Sequence, residues 1–290
     1  GTTPAAAPAL ASAPAGPLAG KIAFTRYNGN GMDTLVYDLA ADQYVAEIPD
    51  TRQPDLAGGL LLVNGTGGGK DSILRMTDGG GNVRPITKHP EDAYPQWSPS
   101  MASMVYASTA FGDRRSRLFW QEDASAQFEV GPMLYDKREL FGDYPVYLDN
   151  WRIAYQGCNT WAGASKCGIY TADTRGSQPI QATTLTADIP TGNLGSQILF
   201  TSNRSGNYDV WIAGVDGSGL RPLTDSPAND GLAVASPDAT QLAFVSNRGG
   251  VWSVYAMNTD GTNQRKLFDI NGQYGSGDYE WYRERISWGP

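Results

Sequence analysis

The sequence predicts an all-β chain, folded as a six-bladed β-propeller of four-stranded antiparallel blades and closed by the C-terminal strand in the first blade. Three observations lead there. Residues 197–240 contain four short runs rich in Val, Ile, Leu, Phe and Trp, at 198–201, 209–213, 220–224 and 231–235. Asn203/Gly206/Asn207, Asp216/Gly217 and Pro227/Asn229/Asp230 part them, and runs so bounded read as hairpin-connected strands. The unit then repeats: LAFVSNR from Leu242 lies over ILFTSNR from Ile198, an offset of 44 residues, within the period of propeller blades. Finally, the chain ends Ile286-Ser287-Trp288-Gly289-Pro290, a copy of the W-S-P strand that elsewhere precedes a repeat. Nothing follows it, while the first repeat, at Lys21, has no such strand before it. The tail therefore fills the vacancy in the first blade, and closing the ring removes unpaired edges.

The repeat can be traced six times. First strands fall at 22–25, 60–63, 104–107, 153–156, 198–201 and 242–246, and second strands at 34–38, 72–76, 117–121, 168–171, 209–213 and 253–257. Inner strands precede repeats three, four and six at Tyr94-Pro95-Gln96-Trp97-Ser98-Pro99, Tyr144-Pro145-Val146-Tyr147 and Val234-Ala235-Ser236-Pro237-Asp238. Repeats three and four match least well, the third because of FGDRRSR in its turn and the fourth because of an insertion holding Cys158 and Cys167. Residues 1–20, GTTPAAAPALASAPAGPLAG, are uncharged, Ala/Pro-rich and aperiodic, so they read as a linker or tail ahead of a single domain at 21–290. Such a tether would suit an anchor or neighbouring domain upstream of residue 1.

With 35 Gly and 18 Pro in 290 residues, composition favours many short strands and tight turns. The formal charge of −8 argues against nucleic acid, whose phosphates reward a basic face. No run of about 18 apolar residues is long enough to span a membrane. Cys158 and Cys167 are either a local disulfide or two incidental thiols, and a bridge would imply an oxidising, extracytoplasmic setting.

The motifs resemble the TolB-like six-bladed β-propeller family (WD-like β-propeller repeats). The residues that carry the resemblance are Ala235-Ser236-Pro237-Asp238, Leu242-Ala243-Phe244-Val245-Ser246-Asn247-Arg248, Asp209-Val210-Trp211, Asp216-Gly217 and Arg221-Pro222-Leu223-Thr224, with Asp78-Gly79 and Arg84-Pro85-Ile86-Thr87 as a further copy. The likeness runs from Lys21 to Pro290. It implies a periplasmic, cell-surface or secreted protein with a protein or peptide partner in the cell envelope. Within the repeat, Asp78-Gly79, Asp216-Gly217 and Asp260-Gly261 are expected to supply the positive φ of tight turns. Trp97, Trp211, Trp252 and Trp288 are expected to fill space between blades. Asn203-Arg204 and Asn247-Arg248 are expected to order the first turn by bonding its backbone.

Propellers usually hold ligands at the channel mouth, beside the starts of the innermost strands. Alignment of the six copies places Arg52, Asp92, Asp143, Asp188, Asp230 and Glu284, with Arg283 beside it, at that position. The bland reading is that each acid caps the turn before its strand. The sharper one is an anionic funnel for a cation or a basic peptide segment. No cofactor is assigned; carboxylate and carbonyl oxygens would suit Ca2+, but no loop has the D-x-[DN]-x-[DN]-G spacing. The single histidine, His89, leaves no conventional triad and no G-x-S-x-G elbow exists. The Gly-rich run at 65–72 lies in a hairpin rather than before a helix, so it is no phosphate loop. The resulting expectation is a non-catalytic binding or scaffold module at the channel mouth. One alternative is a carbohydrate-active enzyme, of glycosidase or lyase type, with paired carboxylates in the funnel and stacking from Tyr94, Tyr144 or Tyr282. The other is the ligand-sensing ectodomain of a membrane-anchored receptor.

Overall fold

A computed structural model describes residues 18–67, 70–122, 130–159, 166–274 and 281–290; the tail expected at 1–17 lies outside the described residues. Six sheets stand around one axis. Blade 1 runs outward from the axis as Ile286–Gly289, Lys21–Tyr27, Met32–Asp38 and Gln43–Ile48. The C-terminal strand is therefore the innermost strand of the first blade, with Trp288 opposite Ile22 and Ile286 opposite Phe24. The other innermost strands are Thr51–Ala57, Asp92–Trp97, Asp143–Tyr147, Ile189–Leu194 and Asp230–Ala235 in blades 2 to 6. Each touches the next, and Asp230–Ala235 touches Ile286–Gly289, which closes the circle.

The second and third strands of each blade are apolar on both faces because a blade has a neighbour on each side. Successive side chains point opposite ways, so one strand feeds two interfaces. Ile22 and Phe24 pack with Val245, Val254 and Phe268 of blade 6, while Ala23 between them packs with Leu61 and Val63 of blade 2. Leu62 turns the other way, towards Met104 and Tyr106 of blade 3. The same alternation repeats around the ring through Tyr147 and Ile153, Ile198 and Phe200, and Leu242 and Phe244. The core is thus a set of interfaces between sheets, and no blade could bury its faces alone.

Blade 3 departs from the four-stranded expectation. Asp92–Trp97, Ser103–Ser108 and Arg117–Glu122 form three strands. Outside them, among the described residues, short pieces of chain add on, through Met133 N–H to the Leu118 carbonyl at 2.7 Å and Leu118 N–H to the Leu140 carbonyl at 3.0 Å. Pro132, which has no N–H to give, sits opposite Phe119 and interrupts a continuous outer strand.

Two of the sequence expectations need correction, one on a turn and one on the tryptophans. Gly217 and Gly261 take positive φ, 84° and 94°, but in the Asp78-Gly79 turn the left-handed residue is Gly80, at 80°. The three turns have the same length, closing from Thr77 N–H to the Gly81 carbonyl as from Gly214 to Ser218 and from Asn258 to Thr262, so Asp78-Gly79 sits one position earlier in its turn than the other two pairs. The tryptophans also divide. Trp97 and Trp288 are buried between blades, whereas Trp252 is only partly buried and joins an aromatic group on one face of the ring.

Candidate functional site

All the aligned positions arrive at one face, here called the top, where the innermost strands begin. Asp92, Asp143 and Asp230 are the first residues of their strands, Arg52 is the second of its own, and Asp188, Arg283 and Glu284 lie just ahead of theirs. Their surroundings differ by blade. In blades 5 and 6 the carboxylates are fully buried and gripped within the blade: Arg204 donates to Asp188 Oδ2 at 2.5 Å and Arg248 to Asp230 Oδ2 at 2.6 Å. The arginines belong to the two S-N-R sequences. Their Nε atoms also donate to Ser202 and Ser246, and their guanidinium groups lie over Phe200 and Phe244. Turn ordering was expected of them, but their charged ends hold the acids. In blade 3, Asp92 is buried and accepts the His89 backbone N–H at 3.3 Å. Burial raises its carboxyl, and Ser108, Thr87 and His89 draw it back down.

Asp143 and Glu284 are placed otherwise. Asp143 is partly exposed and accepts from Ser116 Oγ at 2.6 Å. Burial pushes it up, offset by Ser116 and by the charge of Arg283. Glu284 is buried, and neither carboxylate oxygen makes a well-formed hydrogen bond among the described residues. Desolvation lifts it to about 7, against the restraint of Arg52 and Thr25. A carboxyl in that range can hold or lose a proton at neutral pH.

Sequence reasoning named Tyr94 and Tyr144 but missed Arg285 and the bulges that build the channel's interior. Five innermost strands are bulged against their neighbours, and a bulge re-aims a side chain. Gln53, Tyr94, Tyr144 and Leu232 sit at four of these bulges with φ between 54° and 56°. The Tyr94 and Tyr144 rings lie 4.4 Å apart, and burial, then Tyr144, Glu284 and Asp143 nearby, holds the Tyr94 hydroxyl well above its ordinary pKa. Arg285 crosses the channel. From blade 1 it donates to the Pro95 carbonyl of blade 3 at 3.0 Å and the Pro145 carbonyl of blade 4 at 2.6 Å. Burial lowers its pKa to about 10, opposed by the charge of Asp55. Each bulge frees a carbonyl that a regular ladder would use, and Arg285 collects two of them. The sequence signs of this were Pro95 and Pro145 inside inner strands, where proline marks a bulge, and an arginine two residues after Arg283.

Two features flank this crossbar. Above it, on the top face, Tyr208 stacks on Tyr282 at 4.7 Å and meets Trp281 edge-on at 5.5 Å, while Trp252 lies 4.7 Å from Trp281. These rings are partly exposed and come from the loops of blades 5, 6 and 1. Below it, at the opposite mouth, is a cavity of about 480 Å³ whose walls come from all six blades, with Asp55, Gln96, Tyr147, Thr191, Val234 and Arg285 among them. Cys158 and Cys167, directly opposite each other in the blade 4 hairpin, form a disulfide. Among the described residues no group of three or more His, Cys, Asp or Glu side chains is placed to hold a metal ion, and no helix is long and apolar enough to cross a membrane.

No protein-family model matches the sequence. Solved structures do resemble it. A TolB from Acinetobacter baumannii superposes with a TM-score of 0.71 at 18% identity, over 95% of this chain and 68% of that one. A putative TolB from Agrobacterium tumefaciens gives 0.61 at 20% identity, over 88% and 90%. An oligogalacturonate lyase in complex with manganese gives 0.52 at 13% identity, over 90% and 76%. Repeat pattern, blade count, strand closure and these superpositions agree: the chain has the TolB-like six-bladed propeller fold.

Proposed function

We propose that the chain is an extracytoplasmic, non-catalytic recognition module that takes a protein or peptide segment at the top mouth of the propeller. The observation that carries this reading is the group of partly exposed rings, Tyr208, Trp281 and Tyr282, next in sequence to Arg283, whose charge acts on Asp143. Trp, Tyr and Arg are the residues that dominate protein-binding energy, the two aromatics because they bury large area with few rotatable bonds. The ion pairs of Asp188 and Asp230 support a structural role for those two acids rather than a chemical one. Among the aligned carboxylates, Asp143 and Glu284 remain for a partner. The Cys158–Cys167 disulfide supports an oxidising compartment, and the TolB structures among the neighbours support a binding role by analogy of fold.

The test is capture from the cell-envelope fraction, followed by titration of the purified partner. Tyr282→Ala combined with Asp143→Asn lowers affinity at least about tenfold; equal affinity would remove the reading. The carbohydrate-enzyme alternative draws on one observation, the Glu284 carboxyl lifted into the range of a general acid. It requires glycan cleavage that Glu284→Gln abolishes.

A further inference from the structure

The lower half of the channel holds a pair of opposite charges that the recognition reading does not use. Asp55 of blade 2 and Arg285 of blade 1 both line the 480 Å³ cavity at the bottom mouth. Each feels the other's charge, yet no ion pair joins them. Buried opposite charges ordinarily close into contact, because separation leaves both poorly solvated. Here each is held in place by its own partners. The Trp97 backbone N–H donates to Asp55 Oδ2 at 2.7 Å and Ser287 Oγ to Oδ1 at 3.3 Å, while Arg285 is fixed on the Pro95 and Pro145 carbonyls. Neither group is saturated, since a carboxylate has further lone pairs and a guanidinium further N–H donors. The cavity reaches solvent past exposed rim residues such as Pro99, Pro237 and Ala239.

We propose that this cavity is a second ligand site, for a free α-amino acid. Its ammonium group would sit on Asp55, its carboxylate on Arg285, and its side chain would point down the channel between Tyr147 and Trp288. A lone anion would face Asp55 and a lone cation would face Arg285; a zwitterion answers both. The volume falls within the usual range for small-molecule sites. The Arg285 crossbar separates this site from the top mouth, so the proposal does not depend on the recognition reading.

The experiment is isothermal titration of the purified chain with each standard L-amino acid, then with N-acetylated and carboxamide forms of any that bind. The expected result is one-to-one binding of at least one amino acid, weakened at least about tenfold by capping either end and by Asp55→Asn. Tyr282→Ala, at the other mouth, leaves that titration unchanged. Absence of binding by every amino acid, or a capped form that binds as well as its parent, overturns the proposal. Undiminished binding by folded Asp55→Asn also overturns it. Should Asp55→Asn fail to fold, the capped ligands decide on the wild-type protein alone.

Discussion

Replacing Trp288 with Ala tests whether the C-terminal strand holds the ring shut. Trp288 is 7% exposed, lies opposite Ile22 and packs among the blade 1 and blade 6 side chains. Removing a buried Trp side chain costs about 3–5 kcal/mol, from lost transfer energy and the cavity left behind. Two local facts favour the lower end. Trp288 also lines the channel cavity, so water can enter the vacated space. Its Nε1–H donates at 3.0 Å to the carbonyl of Ala19, which is exposed and can bond to water instead. A loss of about 3 kcal/mol remains, and with an unfolding entropy of roughly 0.6 kcal/mol/K for a domain of this size, Tm falls by about 5 °C. Trp151→Ala, at a 46% exposed ring beside Arg175, is the control and shifts Tm by less than about 2 °C. Thermal melts measure both, and native-state hydrogen exchange shows where protection is lost. A Trp288→Ala melt within about 2 °C of wild type, or protection lost in blades 3 and 4 instead of 1 and 6, would refute the account of closure.

Other outcomes follow from the same geometry. Asp230→Asn leaves Arg248 without its charged partner inside blade 6 and destabilises by about 3 kcal/mol in denaturant titration. Asp188→Asn does the same through Arg204. Glu284 takes up its proton near 4.5 when unfolded and near 7 when folded. The native state therefore holds more protons between those values, and its stability falls as pH rises through that window. Glu284→Gln abolishes this contribution, so it raises Tm more at pH 8 than at pH 5, and an equal gain at both would contradict the burial argument. Replacing Cys158 and Cys167 together by Ser opens a loop of about ten residues and lowers stability by about 2–3 kcal/mol, read as a drop in urea midpoint.

The repeat made the blades legible because each one is built from the same two-sided strand. LAFVSNR and ILFTSNR carry the apolar alternation, the turn and, in Arg248 and Arg204, the partner of the inner-strand acid. The arginine's role was nonetheless misassigned, because its target lies 18 and 16 residues upstream, across a hairpin that the sequence shows only as spacing. The acids were found at the right end of the right strands, but their exposure was not readable: a motif gives position along a strand, and burial depends on what neighbouring blades supply. Arg285 was hidden for a related reason. Its bonds join residues 140 and 190 positions apart, and they exist only because bulges at Tyr94 and Tyr144 turn carbonyls inward. The local sign of those bulges is the proline after each tyrosine, Pro95 and Pro145, since a proline inside an inner strand marks a bulge.

The first sheet to emerge during synthesis is also the last to be finished. Lys21–Tyr27 is the first of the propeller strands to be translated, yet its inner partner, Ile286–Gly289, is the last of them. Until Ile286–Gly289 has been made, that early strand presents bare N–H and C=O groups on the axis side, and no guanidinium yet bridges the hollow centre. A nascent chain stalled anywhere before Ile286 is thus an open horseshoe with one sticky rim, and this architecture makes the arrival of that strand the step that completes the ring.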